Sequence, residues 1–269
     1  MMESRANGKQ QRLCILFVVA CCALFTGHYC STKQGVNPYA VRVNDPDTPT
    51  DPNSFDEVNV SLPCGHQFLM RGHNLRDANI IREFAEDEYG ICKATELQDK
   101  KNGKVIDIGG NVGTFSIATL LQYPNAKSIV LEPTKINREF IKHNAKVNGV
   151  SDRLTVLNSA ATVDGRSLFI KWDEVNPANS RMVSKYKPNQ SIEEVKSVSL
   201  QSVIAKQKYV DIVKIDCEGC EQEILMGTPA LMDEKLVGRV VGEIHWVKNE
   251  RMRCILNRFA QDTQLQFQC

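Results

Sequence analysis

Val105-Ile106-Asp107-Ile108-Gly109-Gly110-Asn111-Val112-Gly113-Thr114-Phe115 passes from apolar to glycine-rich to helix-starting within eleven residues. The β-branched run reads as a short buried strand. Glycine lacks a Cβ, so the loop that follows can bend sharply and let a ligand lie against the backbone. The first turn of the next helix would leave unpaired N–H groups facing the same crevice. Strand, tight loop and helix in that order read as the opening unit of a mostly parallel α/β sheet. Taken alone, the loop is equally compatible with a plain strand-to-helix turn.

The chain downstream repeats this alternation. Ser128–Leu131, Leu154–Leu157, Val210–Ile215 and Val237–Ile244 read as further strands. Helices are expected from about Gly113 to Gln122, from Ile136 to Val147 and from Glu221 onward. Phe140, Ile141, Asn144 and Val147 mark the inner face of the second. Ser167–Trp172 alternates as an antiparallel strand would, and residues 173–195 read as a polar loop or lid. Val198 to Ala205 starts extended and ends helical. The fold expected is α/β, a mostly parallel Rossmann-like sheet with helices on both faces and ligands at the carboxyl ends of the strands.

The polar residues that stand out fall at those ends: Asp107, Glu132, Asp216 and His245. A lone acid there is usually a cap or turn residue, whereas several on one sheet edge point to a site. The glycines at 109, 110 and 113 do not complete the G-x-G-x-x-G dinucleotide fingerprint, which argues against a nicotinamide-dependent oxidoreductase. Glu132 lies 25 residues past Asp107, where an acid can accept ribose hydroxyls.

Ile106-Asp107-Ile108-Gly109-Gly110-Asn111-Val112-Gly113, Leu131-Glu132-Pro133, Lys214-Ile215-Asp216-Cys217-Glu218-Gly219-Cys220-Glu221 and Glu243-Ile244-His245 together resemble the FkbM family of methyltransferases. Asn144 and Asn148 also match that family's helix after the second strand. The resemblance covers roughly residues 100–247. It implies methyl transfer from S-adenosylmethionine, usually to a hydroxyl oxygen, with a carbohydrate or other small hydroxylated acceptor expected. Asp107, Gly109, Gly110, Asn111, Gly113 and Glu132 would hold the cofactor. Asp216, Glu243 and His245 would face the acceptor, with His245 suited to take a proton at neutral pH and the acids to orient it or take the proton themselves. Asp216 with Glu218 or Glu243 could bind a divalent ion, but no dedicated ligand run favours one. The rivals are a binding protein that kept the fold without turnover, and an enzyme acting on a protein or lipid acceptor.

Other readings of the same residues stay open. Asp216 and Glu218 can cap the helix after Gly219, His245 can be a core histidine, and Lys214 can simply pack its stem. Cys217 and Cys220 form a C-x-x-C inside the motif. They are expected to serve as small packing residues or a local disulfide, not as a redox catalyst or zinc pair.

The N-terminus is of another kind. Arg5, Lys9 and Arg12 precede thirteen residues, Leu13 to Phe25, with no polar side chain but cysteine thiols. A bilayer span needs ~20 apolar residues, so the run reaches that length only if extended toward Tyr29. Residues 1–12 read as a cytosolic basic tail and 13–29 as a signal-anchor or, alternatively, a cleaved signal peptide. The basic flank would place the remainder in the lumen of the secretory pathway, as a single-pass type II membrane protein, or a secreted one. A proline-rich stem occupies 30–60, and the catalytic domain 61–269. An amphipathic helix is expected near 78–89. Sequons stand at Asn59 and Asn189. A net charge of +1 gives no case for nucleic acid. Only about 24 residues follow His245, enough for a helix near 249–260 and one strand in 264–268, so one C-terminal edge strand is expected to be missing. Oligomeric state is not legible.

Overall fold

A computed structural model describes residues 14–18, 57–71, 84, 86–171, 181–183 and 191–245. The stretch from Val105 is the centre of its sheet. β4 (Gly103–Ile108) leads through the glycine loop into α1 (Thr114–Gln122). β5 (Ala126–Leu131) is followed by α2 (Lys135–Val147), and then by β6 (Leu154–Leu157). Later come α3 (Leu200–Gln207), β12 (Val210–Ile215), α4 (Glu221–Gly227) and β13 (Val237–Glu243). The strands lie in the order β13-β12-β4-β5-β6 and every pairing is parallel. Chain order reverses between β4 and β12, the point at which such sheets open a crevice.

Alternation along the strands explains why helices cover both faces. Ile106 and Ile108 of β4, with Val213 and Ile215 of β12, pack against Leu200, Ile204 and Ile224. Val105 and Ile212 face the other way, onto Phe115, Ile117 and Phe140. Both faces being buried, the strands read as continuous apolar runs. Of the expected inner face of α2, Phe140, Ile141 and Asn144 are buried. Val147, the last residue of the helix, is 44% exposed.

Smaller sheets flank this core. β2 (Glu57–Ser61) and β3 (Gln67–Arg71) make a hairpin. A disulfide between Cys64 and Cys92 pins its turn to the short 3-10 turn Ile91–Lys93. Asn148 clasps Leu69 by both backbone groups, accepting its N–H at 3.0 Å and donating to its carbonyl at 2.6 Å. β7 (Ala160–Thr162) pairs with β11 (Ser197–Ser199). Between them, β8 (Leu168–Lys171), β9 (Arg181–Val183) and β10 (Ile192–Val195) form an antiparallel sheet in the order β10-β8-β9. The span 173–195 expected as a loop thus contains two strands.

Cys14–Val18, the start of the apolar run expected to anchor or lead the chain, is a strand, β1, parallel to β13 at the sheet edge. The rest of that run lies outside the described residues, as do the stem up to residue 56 and everything after His245, with the helix and strand expected there. Of the helix expected at 78–89, Phe84 is helical and 86–89 form a turn. No helix among the described residues is long and apolar enough to cross a membrane.

Candidate active site

The glycine loop is built so tightly that side chains are excluded from two of its positions. Gly109 has φ +78°, and a Cβ there would lie 1.8 Å from the Asp216 carbonyl oxygen. A Cβ on Gly110 would lie 2.1 Å from Val130 Cγ1. Asn111 also adopts a positive φ, +47°, which a short amide side chain tolerates better than most. Its N–H donates to Glu132 Oε2 at 2.9 Å, while Thr134 N–H donates to Oε1 at 2.8 Å. Asn144 Nδ2 reaches back to the Val112 carbonyl at 2.9 Å and ties α2 to the loop. Burial pushes the Glu132 carboxyl up against these hydrogen bonds, which pull it down.

A pocket opens above this loop, walled by Gly109, Asn111, Glu132, Ala161, Ile170 and Asp216 among others. Asp107, Gly110 and Gly113 are not on its wall. Asp107 is fully buried below, where its Oδ2 accepts from Ser116 Oγ at 2.7 Å and its Oδ1 lies 3.5 Å from Lys214 Nζ. The expected direct contact of Asp107 with a ligand is therefore replaced by support of the loop from beneath. The pocket carries acceptors that a nucleoside can use. Asn111 Oδ1 and Asn137 Oδ1 are buried with no hydrogen-bond partner among the described residues. Asn137 lies beside Glu132 on the pocket wall, and its amide bonds the Glu132 carboxylate. With the Gly109 cradle and apolar Leu131, Ala160 and Ala161, these groups fit the adenosine part of S-adenosylmethionine.

Lys214 organises the next strand end. It is the cross-strand partner of Asp107. Its Nζ donates to the Gly109 carbonyl at 2.8 Å and lies 3.2 Å from Asp216 Oδ2. The Tyr89 hydroxyl donates to the same Asp216 oxygen at 3.3 Å, and the Tyr89 ring stands 5.9 Å from Lys214 Nζ. Burial opposes the lysine's charge, but the carboxylates of Asp216 and Asp107 overcome that and raise its pKa.

Past Asp216 the loop Cys217–Cys220 is closed by a disulfide, with Glu218 and Gly219 at φ +54° and +118°. Of the two uses expected for this pair, the structure has the local crosslink. Glu221 is buried at the foot of the loop. Its Oε1 accepts from Cys217 N–H at 3.0 Å, its Oε2 from Gly219 N–H at 3.0 Å, and His245 Nδ1 lies 2.9 Å from Oε1. His245 Nε2 stands 3.6 Å from both Glu218 Oε1 and Glu243 Oε2. Burial works against a charged imidazole here, but the Glu221 hydrogen bond and the charges of Glu218 and Asp216 prevail and carry His245 to about 9. Burial, reinforced by Asp216, lifts Glu243 to about 7 despite His245 and Lys214. Burial likewise raises Glu218. Asp216, Glu221 and His245 offer ligand atoms within 4.8 Å of one another. Those atoms are already engaged by Lys214, Tyr89, loop N–H groups and each other.

Asp216, Glu243 and His245, singled out in the sequence, thus share one cluster that adjoins the pocket through Asp216 and Glu218. Tyr89, Asn137 and the double role of Glu221 were not legible. Tyr89 lies 127 residues from Asp216 with no motif of its own.

Comparisons with known proteins bear on which family the chain belongs to. A family model described as the methyltransferase FkbM domain matches residues 107–264. "Methyltransferase 1" of Beauveria bassiana (strain ARSEF 2860) is 26% identical over 194 residues, covering 62% of this chain and 75% of that protein. "Methyltransferase sdnD" of Sordaria araneosa is 24% identical over 156 residues, covering 47% of this chain and 60% of that protein. A crystal structure of an S-adenosylmethionine-dependent methyltransferase from Agrobacterium tumefaciens aligns with a TM-score of 0.47 at 12% identity, over 80% of this chain and 60% of that one. Since the family model spans more than half of the sequence, this chain belongs to the FkbM family and is an S-adenosylmethionine-dependent methyltransferase.

Proposed function

We propose that the enzyme methylates a hydroxyl oxygen of a carbohydrate or another small hydroxylated acceptor. Gly109, Asn111 and Glu132 contact the methyl donor, Asp107, Gly110 and Gly113 shape the loop that holds it, and Asp216, Glu243 and His245 face the acceptor. The observation that carries this reading is that the glycine loop, Glu132 and Asp216 border one pocket, with a base near neutrality beside it.

S-adenosylmethionine, when bound, supplies a methyl group already activated on a sulfonium. What remains for the protein is alignment and one proton. Holding the two reacting partners in line can contribute roughly 7–11 kcal/mol when they are well aligned. The acceptor O–H loses its proton as the new C–O bond forms. Glu243, raised by burial to about 7, is a base near neutrality and takes that proton at its carboxylate. His245, raised to about 9, stands charged beside it, and its imidazolium draws Glu218 and Glu243 down against the burial that raises both. Of the bases the sequence offers, this reading favours the acid over His245.

We further propose that the catalytic domain resides in the lumen of the secretory pathway, tethered by residues 13–29 as a single-pass type II membrane protein. Support comes from the basic flank before the apolar run, from two disulfides, which persist in oxidising compartments, and from the exposed sequon at Asn59. This placement requires residues 14–18 to leave the β13 edge where the structure pairs them.

The test of the reaction is incubation of the full chain with methyl-labelled S-adenosylmethionine and a panel of neutral glycans, lipids and proteins. Label is expected in an alkali-stable methyl ether of a glycan or small hydroxylated acceptor. Label confined to protein or lipid refutes the acceptor class, and calorimetry without donor binding refutes the whole reading.

A further inference from the structure

Methyl transfer makes no use of Cys217 and Cys220, yet both side chains line the donor pocket next to Asp216 and Glu218. Their disulfide closes a small ring over two consecutive residues with positive φ. Glu218 bears a Cβ, which disfavours that conformation, so the ring constrains a backbone shape that a free chain avoids. The shape matters to the pocket because the two loops touch through their backbones. A Cβ on Gly109 would meet not only the Asp216 carbonyl oxygen but also Cys217 Cα at 3.0 Å. Whatever moves residues 216–220 therefore moves a wall of the donor site. The other disulfide, Cys64–Cys92, clamps the β2–β3 hairpin and is not on that wall.

We propose that Cys217–Cys220 is a thiol–disulfide exchange site that sets the affinity for the methyl donor, tight when oxidised and weak when reduced. The inference rests on the donor reading above. The co-reactant is a dithiol. One of its thiolates attacks Sγ of Cys217, the less buried of the two residues, and forms a mixed disulfide. Cys220 leaves as a thiolate and takes up a proton. The second thiol of the reductant then displaces Cys217, so that the dithiol is oxidised to its disulfide and two electrons and two protons end on the cysteines. After reduction Glu221 still holds the N–H groups of Cys217 and Gly219, so the loop stays attached to the fold. What it loses is the ring that preorganised Glu218. Loss of preorganisation of this size weakens binding by about tenfold.

The experiment is calorimetric titration of S-adenosylmethionine into the full chain in three states: oxidised, reduced with dithiothreitol, and reoxidised. The redox state of Cys217 and Cys220 is read in parallel by alkylation and mass spectrometry. Binding is expected to weaken about tenfold on reduction and to recover on reoxidation. The C217S/C220S variant should bind as weakly as the reduced protein and no longer respond to dithiothreitol. Equal affinity in all three states overturns the proposal while leaving the donor reading intact. A response that persists in C217S/C220S also overturns it, assigning the effect to other cysteines. Should that variant fail to fold by circular dichroism, C64S/C92S serves instead, and loss of the response there is the refuting result. No binding in any state overturns both readings.

Discussion

Gly109 has room for no other residue. A side chain there would enter the van der Waals envelope of the Asp216 carbonyl, and φ +78° adds a left-handed strain of about 1–2 kcal/mol. Gly109→Ala should therefore destabilise the fold by roughly 2–4 kcal/mol and weaken donor binding on the order of 100-fold, as measured by thermal unfolding and calorimetry. Gly149 is the control. It too has a positive φ, +68°, but nothing lies within 4 Å of an added Cβ. Gly149→Ala should cost only about 1 kcal/mol and leave binding unchanged. At Glu243 the prediction concerns pH. With its carboxyl raised to about 7, kcat/KM should climb as pH rises through that value, and Glu243→Gln should lose roughly 100-fold or more and flatten the climb. Stability carries the same signature. A carboxyl whose folded pKa is raised contributes fully below its unfolded value near 4.5, and the contribution is lost as pH rises through about 7. Glu243→Gln should thus be more stable than the parent at pH 8, by about 2 kcal/mol, with no such gain at pH 4. A unfolding titration at the two pH values that shows no difference refutes the buried carboxylate's strain.

At the scale of elements, the parallel strands are held in register by side chains as well as ladders. Asp211 of β12 is buried. Its Oδ2 accepts the Lys104 N–H of β4 at 2.8 Å, and its Oδ1 pairs with Lys100 Nζ at 3.0 Å. Asp211→Ala strands that N–H and should cost about 2 kcal/mol, or roughly 4–8 °C in Tm for a domain of this size. Asp211→Asn keeps an acceptor and should lose less than half of that. A calorimetric scan in which the two variants behave alike would contradict the role given to the hydrogen bond. Strands such as Val105–Ile108 and Val210–Ile215 were legible because burial on both faces leaves an uninterrupted apolar run. The strands Arg181–Val183 and Ile192–Val195 were not. Their outward residues, Arg181 and Glu193 among them, face water, and only Met182 and Val195 pack inward. Three residues of alternation do not separate from a polar loop. The site divides in the same way. Glu132 could be placed because it ends a strand one βα unit after the glycine loop. Tyr89 and Asn137 could not, since their part depends on contacts that only the folded chain creates. Which of His245 and its acidic neighbours suits the proton was left open for a related reason: the pKa of His245 depends on three carboxylates whose positions the sequence does not give.

For the molecule as a whole, the proposed lumenal placement makes a prediction outside the active site. Asn59 lies exposed on the β2–β3 hairpin, opposite Leu69. Expressed with its own N-terminus in a eukaryotic secretory system, the full chain should sediment with membranes after alkaline extraction. It should carry an N-glycan removable by peptide N-glycosidase, and Asn59→Gln should lose it. A soluble, unglycosylated product would refute the anchored, lumenal arrangement while leaving the methyltransferase reading untouched.

The antiparallel sheet β10-β8-β9 shares no ladder with the parallel strands and keeps a small core of its own in Leu168, Ile170 and Val195. It nevertheless supplies Leu168, Ile170 and Met182 to the pocket wall. Substitutions at these three apolar positions should change the shape of the pocket while Glu132 keeps its hydrogen bonds from Asn111 and Thr134 and Lys214 keeps its own to the Gly109 carbonyl.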